Sequence, residues 1–228
     1  MAFEDFTDGT WIEQDHWTDL ITRTEDRVRW YHLRVDSYDH DGAYVCKDLG
    51  AGYASDAFSH QFELRMTQQD DNSRNVSWAL SNRTTHRRDH AEHNWPLWAM
   101  RMYEDSGGTY TLGLEEQDSS GSWVNDFFTA DEDVTYYVTV TFDPTVGSHG
   151  ELVAAYYSDA ERTTLVYESS ITCQEDYTFQ HVYAVMSWQS YSNPYTRHNS
   201  GWLQNLDLDA PVGGGGRSFV GNRLMVPV

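Results

Sequence analysis

The sequence predicts an all-β protein in which two antiparallel sheets pack as a sandwich. Three observations support this: short segments alternate apolar and polar residues, turn-forming clusters separate them, and no segment keeps a helical period. About a dozen short strands at this spacing fit a sandwich or a barrel, of which we prefer the sandwich. With 228 residues, 39% hydrophobic and 14% aromatic, the chain suits one large β domain.

The alternation is clearest in two segments, Phe58 to Thr67 and Val134 to Asp143. Apolar residues recur there at nearly every second position, as in a strand that buries one face and exposes the other. The side chains expected to face the core are Phe58, Phe62, Leu64 and Met66 in the first segment, and Val134, Tyr136, Val138, Val140 and Phe142 in the second.

Nine further segments are predicted strands because they are rich in β-branched and aromatic residues between turn signals. In chain order they are Arg27 to Val35, Ala43 to Lys47, Val76 to Leu80, Trp98 to Tyr103, Tyr110 to Glu116, Leu152 to Tyr157, Thr164 to Tyr167, His181 to Trp188 and Trp202 to Leu208. The turn signals are Asp41-Gly42, Gly50 to Gly52, Ser106 to Gly108, Ser119 to Gly121 and Gly147 to Gly150.

Two segments break the pattern. Asn82 to Pro96 is predicted to be a charged loop, and the chain after residue 209 is predicted to be a tail of residues 210–228 beside a domain of residues 1–209. Four glycines, Gly213 to Gly216, form a hinge there. The residues beyond it are apolar, so they are either a peptide that docks on a neighbouring subunit or a frayed terminus. The docking residues are Arg217, Phe219, Val220, Leu224, Met225 and Val226.

The charge balance excludes some partners. Asp and Glu number 36 against 15 Lys and Arg, which gives a net charge of -21 and argues against nucleic acid and anionic membranes as partners. Lys47 is the only lysine. Such surfaces resemble those of halophilic proteins, where salt near 1 M screens self-repulsion to within roughly 3 Å; an ordinary acidic protein is the alternative.

No targeting or membrane segment is expected. The N-terminus has no basic region followed by an apolar run, which argues against a signal peptide, and no stretch approaches the ~20 apolar residues of a membrane span. The two cysteines, Cys46 and Cys173, are far apart in sequence. They are expected to be buried unpaired thiols, with one long-range disulfide as the alternative.

Several strings resemble the concanavalin A-like, laminin-G-like domains. They are Ala43 to Gly52, Phe58 to Thr67, Val76 to Asn82, Tyr157 to Leu165, Tyr183 to Ser187 and Trp202 to Leu208, and the resemblance spans residues 3 to 209. It implies a two-sheet jelly roll, a fold shared by lectins, carbohydrate-binding modules, glucanases and virion proteins. Fold alone does not choose among these functions.

Together with the halophilic composition and the tail, the resemblance favours a non-enzymatic structural protein of a halophilic archaeal virus. It would be a capsid turret, a decoration protein or a tail-associated subunit on the outer surface of the virion. Its expected partners are other virion subunits, further copies of itself and host glycans. A lectin-like module and a secreted glucanase-like hydrolase are the alternatives.

Each of these functional hypotheses predicts its own candidate residues. For sugar binding, which stacks sugars on exposed rings, five aromatic residues lie in or beside predicted loops: Trp95, Trp98, Trp188, Tyr191 and Tyr195. Trp78 and Trp202 are expected in the core instead.

Glucanases of this fold use an acidic pair on one strand face. The nearest pair here is Glu116 and Asp118, which runs into a turn and lacks a third acid, so no catalytic residue is predicted.

Metal sites are weakly indicated. His86, His90 and His93 have helix-like spacing, but they lack a metallohydrolase motif and lie in a predicted loop, so a solvated loop is preferred to a zinc site. Calcium is the more plausible ion because aspartate oxygens suit it. The weak candidates are Asp5, Asp36, Asp39, Asp41 and Asp207.

Overall fold

The structure is a computed structural model that describes residues 3–14, 21–35, 43–53, 56–69, 74–85, 87–104, 108–187 and 197–209. Within these ranges the chain forms fourteen strands and one short helix. The strands are β1 (Trp11–Gln14), β2 (Ile21–Arg23), β3 (Arg27–Val35), β4 (Tyr44–Asp48), β5 (Phe58–Gln69), β6 (Arg74–Ser81), β7 (Leu97–Glu104), β8 (Tyr110–Gln117), β9 (Trp123–Thr129), β10 (Thr135–Asp143), β11 (Glu151–Tyr157), β12 (Leu165–Thr172), β13 (His181–Ser187) and β14 (Arg197–Asp207); the helix is α1 (Arg87–His93).

The strands form two seven-stranded sheets. Sheet A has the order β1-β4-β13-β6-β7-β8-β9, and sheet B has the order β12-β11-β10-β5-β14-β3-β2. Every pairing in both sheets is antiparallel. The predicted all-β jelly-roll sandwich is therefore confirmed. Among the described residues no helix could cross a membrane.

All eleven predicted strands form, and three short strands were missed. β1 and β2 have four and three residues, too few for a period to show. β9 carries aromatic residues on both faces, which hides its alternation. The predicted loop Asn82 to Pro96 contains α1, so that prediction was wrong over seven residues; one or two helical turns are too short to produce a visible helical period.

The core lies between the sheets and follows the predicted alternation. Every predicted inward side chain of β5 and β10 is buried, at most 7% exposed. Val134 was also predicted to face the core, and that prediction was wrong: the residue precedes β10 and is 37% exposed. Trp98 sits at the centre of an aromatic group, with Tyr177 and Phe179 edge-on to its ring at 5.4 and 5.0 Å. Burying each such ring stabilises the fold by roughly 1.5–3 kcal/mol.

His60 links the two sheets through a buried hydrogen-bonded chain. The Trp78 indole N–H donates to His60 Nδ1 at 3.1 Å, His60 Nε2 lies 2.8 Å from the Tyr53 hydroxyl, and that hydroxyl donates to the Leu208 carbonyl at 3.0 Å. The Tyr53 hydroxyl has only one proton and donates it to Leu208, so in the contact with His60 it is the acceptor. The Nε2 atom of His60 must therefore carry a proton and donate it to Tyr53. Burial lowers the pKa of His60 to about 3, so the ring is neutral and fully bonded.

The two cysteines are unpaired and buried, as expected. Cys173 belongs to the core between the sheets, whereas Cys46 belongs to a second buried cluster that includes Tyr44 and Tyr183. Burial raises the pKa of the Cys46 thiol to about 12 and that of Cys173 further still. Both thiols are therefore protonated and unreactive at neutral pH.

Candidate functional site

The second buried cluster lies on the outer face of sheet A, and a segment of chain covers it. This segment, residues 82–85 and 87–96, is called the strap below. The Tyr44 hydroxyl donates to the Thr84 carbonyl at 3.0 Å, and the Tyr183 hydroxyl accepts from the Thr85 amide at 3.0 Å and donates to the Arg83 carbonyl. The strap thus occludes the outer face over β4, β13 and β6 and leaves β7, β8 and β9 partly open.

On β7, β8 and β9 the outward side chains form transverse rows. Arg101, Gly113 and Phe127 are paired across the three strands in one row. Tyr103 lies in the next row, and the two rows on the other side end at Asn125 and Trp123. Five fully or partly exposed members of these rows are called the platform below: Arg101, Tyr103, Trp123, Asn125 and Phe127.

Gly113 allows the platform to form. A Cβ atom on Gly113 would lie 2.1 Å from the Asp126 carbonyl oxygen and 2.6 Å from Cδ1 of Phe127, which real Cβ contacts do not approach. The Phe127 ring therefore lies across β8, edge-on to Tyr103 at 5.7 Å between centroids. The Arg101 guanidinium carbon is 4.5 Å from the Phe127 centroid and 5.0 Å from that of Tyr103, within cation–π range.

A buried charge network supports the platform from the strap side. Glu115 is 1% exposed, and its two carboxylate oxygens face two arginines: Arg87 Nε at 3.1 Å and Arg101 Nη1 at 2.9 Å. Arg87 also donates to Gln117 Oε1 at 3.0 Å, and Gln117 in turn donates to the His90 carbonyl at 2.8 Å. Burial lowers the pKa of Arg87 to about 10, opposed by the Glu115 charge, so Arg87 stays cationic at neutral pH.

Trp123 joins this network to the surface. The Arg87 guanidinium carbon lies 3.8 Å from the Trp123 ring centroid, while 37% of the residue is exposed. One part of the indole is thus fixed against a cation and another part faces solvent. The platform accordingly combines partly exposed rings with a guanidinium and an amide held by neighbouring strands, a composition that suits a saccharide.

The five aromatic residues predicted to bind sugar differ in burial, and three of them lie outside the described residues. Trp98 is fully buried in the core, so its predicted role was wrong; it sits on β7 between two sheets rather than beside a loop. Trp95 is partly buried in the strap, where His93 stacks on its ring at 4.6 Å and Arg83 lies 4.9 Å from its centroid. The other candidates lie outside the described residues: Trp188, Tyr191 and Tyr195.

Two further tryptophans were expected in the core. Trp78 is fully buried, which confirms that prediction. Trp202 is half-buried on the outer face of sheet B, with the Arg27 guanidinium carbon 5.0 Å from its ring centroid, so its core assignment was wrong. Trp202 and Leu203 are successive residues of β14 and face opposite sides of the sheet, so burial of Leu203 places the Trp202 ring outside.

The acidic pair of the hydrolase alternative has structural roles. Glu116 is fully buried between the sheets, where it accepts from the Tyr177 hydroxyl at 2.6 Å and the Gln174 amide at 2.9 Å; burial raises its pKa. Asp118 organises the β8–β9 turn by accepting from the Ser120 and Ser122 amides at 2.9 and 2.8 Å. Both carboxylates are thus engaged in contacts that hold the local structure.

The histidine segment was predicted to be a solvated loop rather than a zinc site, and two of its three histidines are described. His90 is buried, with Nδ1 3.4 Å from the Trp95 carbonyl and Nε2 3.4 Å from the Ser81 hydroxyl. Within the described part of the chain, one group of three has ligand atoms within 4.8 Å of one another: Asp89, Glu92 and His93. These side chains are on a seven-residue helix at the surface, and His86 lies outside the described residues.

The calcium candidates are partly described. Asp5 accepts from the Thr7 amide and hydroxyl at 2.8 and 2.7 Å, and Asp207 is buried and accepts from the Asp209 amide at 3.1 Å. Both carboxylates therefore already organise local backbone, and calcium there stays a prediction. The remaining candidates lie outside the described residues: Asp36, Asp39 and Asp41. The docking tail, residues 210–228, also lies outside them.

Sequence reasoning missed the platform. Arg101 and Tyr103 occupy alternate positions of a predicted strand whose other positions are apolar, and this outward aromatic and charged pair was an available signal. Trp123 and Phe127 lie on β9, which was not predicted. A glycine inside a predicted strand, Gly113, also marks a close approach of neighbouring groups.

Comparison with known proteins places the fold. No protein-family model matches the sequence, and no curated protein matches it. An alginate lyase is 13% identical with a TM-score of 0.58, over 91% of this chain and 88% of that chain. A legume lectin-like domain from Entamoeba histolytica is 7% identical with a TM-score of 0.55, over 89% and 94%. The CBM2 module of the evolved Dit protein of Lactobacillus casei BL23 phage J-1 is 9% identical with a TM-score of 0.50, over 92% and 88%.

These neighbours are jelly-roll sandwiches, consistent with the concanavalin A-like fold that the resemblance implies. They include lectin-like, carbohydrate-binding and glycan-active proteins. At such low identity the likeness shows the fold alone.

Proposed function

We propose that this chain is a non-enzymatic glycan-binding domain and that the platform is its binding surface. The observation that carries the proposal is the arrangement on the open part of the sheet face over β7 to β9. Tyr103 and Phe127 flank the Arg101 guanidinium, and Trp123, four residues before Phe127 on β9, exposes part of its ring on the same face. Flat rings stack on the apolar faces of sugars, and fixed donors bond to their hydroxyls. The fold shared with a lectin-like domain supports this reading as an analogy.

The non-enzymatic part of the proposal rests on how the acids near the platform are used. Glu115 is held between two guanidiniums, Glu116 is enclosed in the core, and Asp118 holds a turn. A retaining or inverting glycosidase needs two carboxyl groups that both reach the scissile bond. We therefore expect reversible binding without turnover.

The test is calorimetric titration of the domain with a panel of oligosaccharides, followed by the same titration with Trp123→Ala and Phe127→Ala. We expect each variant to lose about tenfold in affinity, which is about 1.4 kcal/mol, because aromatic residues are enriched among the contact residues whose truncation costs more than about 1 kcal/mol. Phe3→Ala is the matched control, because Phe3 is 51% exposed and lies outside the platform. Equal affinity of all three variants and wild type would place the sugar elsewhere, and release of shorter products during incubation would show turnover.

We further infer that the domain is a surface subunit of a virus particle with a salt-loving host: a capsid turret, decoration protein or tail-associated subunit. The specific observation that favours this role is the fold shared with a module of a phage Dit protein over 92% of this chain. The acid-rich, lysine-poor composition and the apolar tail support it. Host glycans would then be the ligands of the platform, and other virion subunits the partners of the tail.

Mass spectrometry of purified particles and spent medium tests this role. Recovery at fixed stoichiometry with capsid or tail proteins is expected, and recovery only as free protein would refute it. Deletion of residues 211–228 should abolish incorporation, and a tail of unchanged length carrying Phe219→Ser, Val220→Ser and Leu224→Ser should do the same if apolar docking is responsible. Normal incorporation of the serine variant would show that the apolar side chains are not needed.

A further inference from the structure

The exposed part of the sheet A outer face narrows along β9. At one end, the paired positions on all three strands are at least partly exposed: Tyr103 on β7, Thr111 on β8 and Thr129 on β9. At the other end, Leu97 and Gln117 are 0% exposed, and of the three residues in that row Trp123 is the one that reaches solvent. Strands of a sheet lie about 4.8 Å apart, so the open face falls from roughly 10 Å across to the width of one strand.

The strap closes the narrow end of this face. The Arg87 guanidinium carbon lies 3.8 Å from the Trp123 ring centroid. Two residues before Trp123, Gly121 of the β8–β9 turn packs so closely against the Asn94 side chain that a Cβ atom on the glycine would overlap the Asn94 amide. The platform is therefore bounded by protein beyond Trp123, and it is widest at the end that carries Tyr103.

The face is also closed on the side of β6. Val76 and Ala79, on β6 beside β7, belong to the second buried cluster and are 0% exposed. Phe127 and Trp123 are four residues apart on β9, which places them about 13 Å apart. One pyranose ring does not span this distance, so a saccharide that stacks on both rings is a chain that runs along β9.

We propose that the platform binds the end of a linear saccharide chain, with the terminal unit at Trp123 against the strap and the rest of the chain leading away over Phe127. This deepens the proposed function and rests on it. An internal segment would need a second exit beyond Trp123, where Asn94 and the β8–β9 turn lie. A terminal unit carries a free hydroxyl in place of the next glycosidic bond, and the exposed Asn94 amide offers both donors and an acceptor there. The same wall excludes a continuing chain by steric clash.

The experiment titrates the protein by calorimetry with cellohexaose, laminarihexaose, mannohexaose and maltohexaose. The hexasaccharide that binds best is compared with two modified forms: one whose reducing unit is converted to an alditol, and one whose non-reducing unit is methylated on the hydroxyl where the chain would extend. One of the two modified forms should bind about tenfold or more weakly, because its altered end meets the strap. Longer chains of the same linkage should bind one protein per chain, whatever their length.

Asn94→Gly tests the wall itself. Asn94 has a φ of 53°, which glycine adopts readily, so the substitution removes the side chain and leaves the backbone in place. It should reduce several-fold the difference in affinity between the native and the modified chain. Asn82→Gly is the matched control, because Asn82 is an exposed residue at the start of the strap, next to the part that lies over β4 and β13. It should leave the difference unchanged, and thermal melts confirm that both variants are folded.

The outcomes separate the two proposals. Equal affinity for the native chain and both modified forms, or a number of bound proteins that rises with chain length, would overturn the chain-end inference and leave glycan binding intact. An end preference that Asn94→Gly leaves unchanged would overturn the position of the terminal unit against the strap. Absence of binding to all four hexasaccharides would argue against the proposed function itself.

Discussion

Removing Arg87 should strongly destabilise the fold, because its side chain is 0% exposed and supports a carboxylate that is 1% exposed. Arg87→Met keeps an unbranched chain but deletes the hydrogen bonds to Glu115 and Gln117 and the contact with Trp123. Breaking a buried ion pair from one side costs about 3–5 kcal/mol. Glu115 would retain Arg101, so we expect the lower end, about 3 kcal/mol of the free energy of unfolding.

The double variant Arg87→Met/Glu115→Gln removes the charge that the single variant leaves buried. Replacing both partners of a buried pair is often nearly neutral, and Arg101, which loses its contact with Glu115 as well, is 15% exposed and so partly solvated. The double variant should therefore recover part of the lost stability, to within about 1–2 kcal/mol of wild type. Urea unfolding at one fixed salt concentration measures all the values. The control is Arg65→Met, whose pair with Asp133 is exposed and should contribute about 0–1 kcal/mol. If Arg87→Met lowered the free energy of unfolding no more than Arg65→Met does, the claim that the buried Arg87–Glu115 pair is needed for stability would be refuted.

Three further predictions concern the fold. Gly113→Ala should destabilise by about 1–3 kcal/mol and displace Phe127, because the new Cβ meets the Asp126 backbone at 2.1 Å; urea unfolding and loss of saccharide binding together check this. His60 is neutral when folded but protonates near pH 6.5 when unfolded, so stability should fall as pH drops from 6.5 toward about 3, by up to about 5 kcal/mol from this group. A His60→Gln variant with the wild-type pH slope would contradict this. The melting temperature should rise with salt toward about 1 M as self-repulsion is screened, and a salt-independent value would remove the halophile argument.

The fold was predictable because it depends on a local pattern. Alternation over β5 and β10 identifies the buried side chains directly, since successive residues of a strand face opposite sides. The pattern fails where both faces of a strand are covered. On β9 aromatic residues point both ways, and on β6 and β13 the strap buries the outer face as well as the inner one.

The site was harder to predict because it depends on contacts between distant segments. Arg87 lies in a segment that was predicted to be a solvated loop, and only the folded chain places it against Glu115. Trp98 is an error in the opposite direction. Its position next to a predicted loop suggested that it is exposed, but its side chain points from β7 into the space between the sheets and is fully buried. Composition identifies the residue types that bind sugars, but the sheet face on which each one lies is a tertiary property.

The central claim, that the platform binds saccharide, is tested most directly by fluorine NMR of protein labelled with fluorotryptophan, titrated with the best ligand of the panel. Trp123→Phe identifies the resonance of Trp123, and the fully buried Trp78 and Trp98 serve as internal references. We predict a saturable shift of the Trp123 resonance with the calorimetric affinity, while both references stay unchanged. Saturable binding that leaves Trp123 unmoved and shifts another tryptophan would contradict the assignment of the site.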